Sequence, residues 1–270
     1  MQISRRVFLV GVAALATFPA LHARSSDASS LSAGRRAPTL IGYGIANNWH
    51  RIDAELFARL LAVNGLTLTE IEYVAWLDGS DGIKTDVEAA ARFVTAMRSY
   101  DVTTFVNVVN WNSEAQRNAS EDWFGDRVRE IRDRIGPSQV ILQPVSEGGA
   151  DLRVARWQDI ARTEWPGRLV LYADRAQVPP SPVVANVPHG YLDVHYCDYG
   201  QMLDVMRTAG PRVINNTDCT PLVASNLGLD RAVRLTRQAL DYNTNLLVYD
   251  WERATIDQPL IQAMGAEVRR

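Results

Sequence analysis

The stretch "VILQPVSEGG", residues 140–149, decides the fold. Val140, Ile141 and Leu142 form the unbroken apolar run of a strand covered on both faces. The run ends in Ser146, Glu147 and two glycines, a polar exit with a flexible turn behind it. Upstream lies "EDWFGDRVREIRDRIG" (121–136), an amphipathic pattern that closes on Gly136. Downstream lies "LRVARWQDIARTEW" (152–165), a second one. Helix, buried strand, helix is the unit of a parallel sheet wrapped in helices.

Working outward, the same unit recurs along the chain. Strand candidates fall at 39–46, 70–76, 102–110, 139–146, 168–173, 191–196, 212–217 and 245–250. Between most of them run helical patterns such as "IDAELFARLLAVNG" (52–65) and "LDRAVRLTRQALDYN" (229–243). Eight strands alternating with helices over 38–270 predict one α/β domain, a (β/α)8 TIM barrel. One link departs from the pattern: "QVPPSPVVANVPH" (177–189) is too rich in proline for a regular helix, so a loop is expected between strands five and six. An open doubly wound sheet competes less well, because no glycine-rich phosphate loop follows the first strand.

The first 23 residues, "MQISRRVFLVGVAALATFPALHA", carry a charged start, an apolar core and small residues near the end, the pattern of a signal peptide. Ser4-Arg5-Arg6-Val7-Phe8-Leu9 matches a twin-arginine export signal, and the Ser- and Ala-rich 24–37 read as a flexible leader. An exported protein, periplasmic or secreted, is therefore expected. Losing Arg5 and Arg6 with the signal takes the net charge from −3 to −5. No clustered basic face argues for nucleic acid, and no long apolar run after the signal argues for a membrane span. Oligomeric state is not legible. An oxidising compartment permits a disulfide between Cys197 and Cys219, which sit near the ends of adjacent strands.

Active sites of such barrels lie at the C-terminal mouths of the strands. Trp49 follows strand one, Trp76 and Asp78 strand two, and Asn110 and Trp111 strand three. Glu147 ends strand four. "LDVHYCDY" (192–199) brings His195 and Tyr196, "NNTDCT" (215–220) brings Asp218, and "YDWE" (249–252) brings Trp251 and Glu252. Indole faces pack on the C–H faces of a pyranose while amide, carboxylate and imidazole groups bond its hydroxyls, so the cluster predicts a carbohydrate partner. Glu72, Asn107, Gln143, Asp193 and Asn215 interrupt strands where branched aliphatics are usual. Buried there, they must be hydrogen-bonded, which predicts a polar network beneath the mouth.

These strand ends resemble the clan of retaining (β/α)8 glycoside hydrolases. That clan has an Asn-Glu pair ending strand four, His and Tyr at strand six, a Glu nucleophile at strand seven and a Trp at strand eight. Glu147, His195, Tyr196 and Trp251 match by position; Ser146 replaces the Asn, and Asp218 stands where a Glu is expected. The resemblance implies a glycosidase with Glu147 as general acid and Asp218, or else Glu252, as the second carboxylate. No cofactor or metal is assigned to it. A gap of about 5–5.5 Å between the carboxyl groups means a covalent intermediate, and about 6.5–9.5 Å admits a water. Two other readings stay open. A metal-dependent sugar isomerase or epimerase would gather Glu147, His195, Asp218 and Glu252 around magnesium or manganese. A non-catalytic carbohydrate-binding barrel would explain the missing Asn and Glu.

Overall fold

The apolar runs become eight parallel strands that close into a barrel, β1 pairing with both β2 and β8. The computed structural model describes residues 39–72, 87–110, 118–146, 152–173, 190–250 and 256–270. The strands are β1 (Ile41–Gly44), β2 (Leu68–Ile71), β3 (Thr103–Asn110), β4 (Val140–Ser146), β5 (Arg168–Ala173), β6 (Tyr191–His195), β7 (Val213–Asn216) and β8 (Asn245–Tyr249). Around them lie helices α1 (Ala54–Val63), α2 (Val87–Arg98), α3 (Glu121–Arg134), α4 (Leu152–Glu164), α5 (Tyr199–Ala209), the short α6 (Ala224–Leu227), α7 (Leu229–Tyr242) and α8 (Gln258–Val268). None of the described helices is long and apolar enough to cross a membrane. The proline-rich link at 177–189 lies outside the described residues.

Local chemistry explains where helices start and stop. Asp53, Ser120, Asp198 and Asp257 each accept the backbone N–H three residues on, satisfying an orphan donor of the first turn. Gly136 takes φ 72° just past α3, a left-handed conformation that side chains with a Cβ resist. On α7 the buried positions are Ala232, Leu235, Thr236 and Ala239, the i, i+3, i+4, i+7 stripe of a helix lying on a sheet.

Alternation along the strands sorts the core into two clusters. Leu40, Leu68, Phe105, Ile141, Val170, Ile214 and Leu247 pack together inside the barrel, with Tyr191 against them. Those residues form an apolar floor drawn from all eight strands or their starts. Their chain neighbours Ile41, Val106, Leu142, Leu169, Leu192, Val213 and Leu246 face the helices in the larger cluster.

β1 and β2 depart most from the strands that the sequence predicts. β1 stops at Gly44 and the chain turns into a 3-10 helix at Ala46–Arg51. β2 begins at Leu68 and ends at Ile71, so its register starts two residues earlier than expected. The ladder from β4 to β5 carries Ile141↔Arg168 and Leu142↔Leu169. Pro144, with no N–H to donate, stands above those rungs on the way to the mouth.

Candidate functional site

Above the apolar floor the barrel turns polar. Side chains two residues further along a strand share its face. Leu68 therefore leads to Glu70, Phe105 to Asn107, Ile141 to Gln143, Tyr191 to Asp193, and Ile214 to Asn216. All five are buried. The step beyond brings Glu72, His195 and Asp218, at the mouths of β2, β6 and β7.

These groups bond across the barrel as well as along it. Gln143 Nε2 donates to Asp193 Oδ2 at 2.9 Å. His195 Nε2 lies 2.8 Å from that same oxygen, and His195 Nδ1 lies 2.8 Å from Asp218 Oδ2. Asn216 Nδ2 donates to Glu70 Oε2 at 3.3 Å, linking β7 to β2. A ring with a carboxylate on each nitrogen is best satisfied as imidazolium, both N–H groups donating. Burial opposes the charge, but Asp193 and Asp218 outweigh it and hold the His195 pKa well above the ordinary histidine range. Burial, then the charges of Glu72, Asp193 and Asp218, push Glu70 well above the usual carboxylate range, against the pull of His195. Glu70 is thereby biased toward its neutral acid.

Several atoms of this layer have no hydrogen-bond partner among the described residues: both polar atoms of Asn107, Gln143 Oε1, Asp193 Oδ1 and Asn216 Oδ1. Each such buried group costs about 1–3 kcal/mol. Such a layer stabilises a barrel less than the branched aliphatics it replaces, a cost that proteins accept chiefly at functional sites.

The expected site residues divide into three groups. Asp218 and His195 meet as described. Trp49 and Tyr196 are corrected. The 3-10 turn swings Trp49 under the helices, where it is 4% exposed, packs edge-on to Phe93 and donates from Nε1 to the Glu72 carbonyl. Tyr196 follows the inward His195 and so points outward; its hydroxyl donates to Asn215 Oδ1 at 2.9 Å. Asn215 likewise faces the helices, donating to Thr244 Oγ1 and the Asn245 carbonyl. The inward amide on β7 is Asn216. Glu147, Glu252, Trp76, Asp78, Trp111 and Trp251 lie outside the described residues; Asn110 ends β3 with its backbone alone described. Sequence reasoning missed Glu70, which alternation from Leu68 would have found.

Cys197 and Cys219 form a disulfide across the exits of β6 and β7. Among the described residues no group of three or more His, Cys, Asp or Glu side chains has the arrangement of a metal site.

The chain is similar in fold to solved glycoside hydrolases. The catalytic domain of the Thermobifida fusca endoglucanase Cel5A superposes with TM-score 0.60 at 13% identity, over 84% of this chain and 85% of that one. A Bacteroides ovatus GH5 xyloglucanase gives 0.54 at 10%, over 86% and 74%. Tryptophan synthase from M. tuberculosis reaches 0.51 at 12%, over 86% and 93%. At such identities the likeness is one of fold, and these folds host unrelated chemistries. No protein-family model and no curated protein matches the chain.

Proposed function

We propose that this chain is an exported glycoside hydrolase-like enzyme that cleaves a glycosidic bond with a pair of carboxyl groups, Glu147 as general acid and Asp218 as its partner. Glu147 directly follows Ser146, the last residue of β4. Its proton would go to the leaving-group oxygen. Asp218 would either attack the anomeric carbon or take a proton from the attacking water, according to the gap between the two groups. Asp is one methylene shorter than Glu, which favours the wider gap and a water. Signal-like residues 1–23 are the support for export.

The observation that carries the reading is the Asp193–His195–Asp218 chain. It rises from a buried carboxylate to one at the mouth, whose side chain is 19% exposed. The imidazolium fixes one oxygen of Asp218. The Asp218 carboxylate at the mouth is the negative charge on this side that would stabilise a cationic, oxocarbenium-like transition state. Binding of cellotetraose by the Thermobifida enzyme and of a xyloglucan heptasaccharide by the Bacteroides one makes β-linked glucans the first substrates to try. The metal-isomerase reading is weaker, since both His195 nitrogens are already engaged by carboxylates and leave no lone pair for a cation.

Product analysis on a panel of polysaccharides tests the proposal. Glu147→Gln should lower turnover by about 10²–10⁴-fold with melting unchanged. Equal turnover in the variant, or release of no sugar from any polymer, overturns the assignment.

A further inference from the structure

We propose that the Cys197–Cys219 disulfide is a positioning element of the mouth: it clamps the exits of β6 and β7 so that Asp218 stays seated against His195. The bond joins residues two past the end of β6 and three past the end of β7, with Cα atoms 4.8 Å apart. The β6–β7 ladder has its last rung at His195↔Asn216, extended once by Tyr196 N–H to the Asn216 carbonyl at 3.1 Å. Beyond that, β7 turns its bonding toward β8: Thr217 N–H donates to the Leu247 carbonyl, and Tyr249 N–H donates to Thr217 Oγ1. Asp218 comes next, immediately before Cys219. On the β6 side, the bridge takes over where the ladder ends.

The placement argues for a local role. The bridge closes a separation of 22 residues whose two ends are already held by a four-rung ladder. What it adds is constraint at the exits, and the exits carry His195 and Asp218. The charged groups acting on His195 are Asp193 on its own strand and Asp218 after β7; Glu70 of β2 feels the His195 charge and that of Glu72 just past the strand, and Gln143 of β4 reaches Asp193 as a neutral donor. Asp193 is seated in mid-strand and Glu70 within β2, whereas Asp218 rides on the loop that the bridge holds. Both cysteines are half-buried, within reach of a small thiol.

This inference does not depend on what the mouth cleaves, so its test reads the His195 ring by NMR titration of the folded full chain. Three samples are compared: oxidised wild type, a Cys197→Ser/Cys219→Ser variant, and wild type reduced with dithiothreitol. In the last, two electrons and two protons pass from the dithiol to the S–S bond, giving two thiols and cyclic oxidised dithiothreitol. The His195 midpoint should fall by about 1–3 pH units in the second and third samples, as expected on losing a close opposite charge. Asp218→Asn in the oxidised chain should produce a fall of the same size, and adding the serine pair to it should produce no further fall. An unmoved midpoint on breaking the bridge overturns the proposal. So does an additional fall in the Asp218→Asn background, or global unfolding on reduction, which would make the bridge a general staple.

Discussion

Replacing Asp193 by Asn should destabilise the protein in acid and near neutrality and leave little effect in alkali. Asp193 is fully buried and its Oδ2 holds both Gln143 Nε2 and His195 Nε2. The amide keeps the shape and removes the charge. His195 then retains Asp218 as its one close anion among the groups described above. Losing an opposite charge at this range lowers a pKa by about 1–3 units, or about 1.4–4 kcal/mol of stability at pH values where His195 is charged in both proteins. The sign follows from linkage. In wild type the folded pKa of His195 lies above its unfolded value. Its contribution is therefore complete below about pH 6.5 and fades as pH rises through the folded value. Glu70 has the same sign, being raised by burial and by its acidic neighbours, Asp193 included. Urea unfolding at intervals from pH 5.5 to 9.5 is the assay. Wild-type stability should decline across the upper part of that range, the variant should be flatter, and the two curves should converge or cross. A gap of constant size at all pH values would mean that Asp193 acts through packing alone, and the charged His195 bridge would be refuted.

Other substitutions probe separate parts of the structure. Tyr196→Phe strands the buried Asn215 Oδ1 and should cost about 1–3 kcal/mol in chemical denaturation, yet leave turnover on polysaccharide unchanged, because the hydroxyl faces the helices. Gly42→Ala would put a Cβ 2.2 Å from the Leu68 carbonyl oxygen. Both groups are backbone-bound, so thermal melting should register a loss of about 1–3 kcal/mol or more. Asn107→Leu replaces two polar atoms that lack partners among the described residues with methyls of similar shape. It should leave stability within about 1 kcal/mol or raise it, and a loss well beyond that in a melting scan would show that the amide is satisfied.

The barrel was legible because its evidence is local: apolar runs of strand length, each fenced by helical periodicity and glycine or proline punctuation. Registers inside the barrel were less so, since a shift of one residue exchanges the two faces. "VINNT" places two asparagines side by side, and composition cannot say which turns inward; pairing across the barrel with Glu70 decides for Asn216. "LTLTEIEYVAW" runs on in apolar residues past Ile71, which drew the expected strand toward Trp76 and hid the Leu68–Glu70–Glu72 alternation. Trp49 follows a strand in sequence, but a 3-10 turn carries it away from the mouth. The Cys197–Cys219 bridge was legible for the opposite reason, as neighbouring strands put their exits together whatever the register.

The charge layout explains why this barrel needs an imidazolium where many would place a valine. Glu70, Glu72, Asp193 and Asp218 lie close enough for the other three to raise the proton affinity of Glu70. Four carboxylates under one mouth would repel one another strongly if all were ionised. Two devices relieve that repulsion: Glu70 leans to its neutral form, and His195 carries a positive charge between two of the others. Both depend on pH in the same direction, and both fail as protons are withdrawn. Repulsion at the mouth must therefore grow toward alkali, and with it the tendency of Asp218, seated on a loop beyond the ladder, to leave His195. A covalent bridge one residue away acts against that departure, which gives the Cys197–Cys219 pair its greatest effect at the pH where the ion pair is weakest.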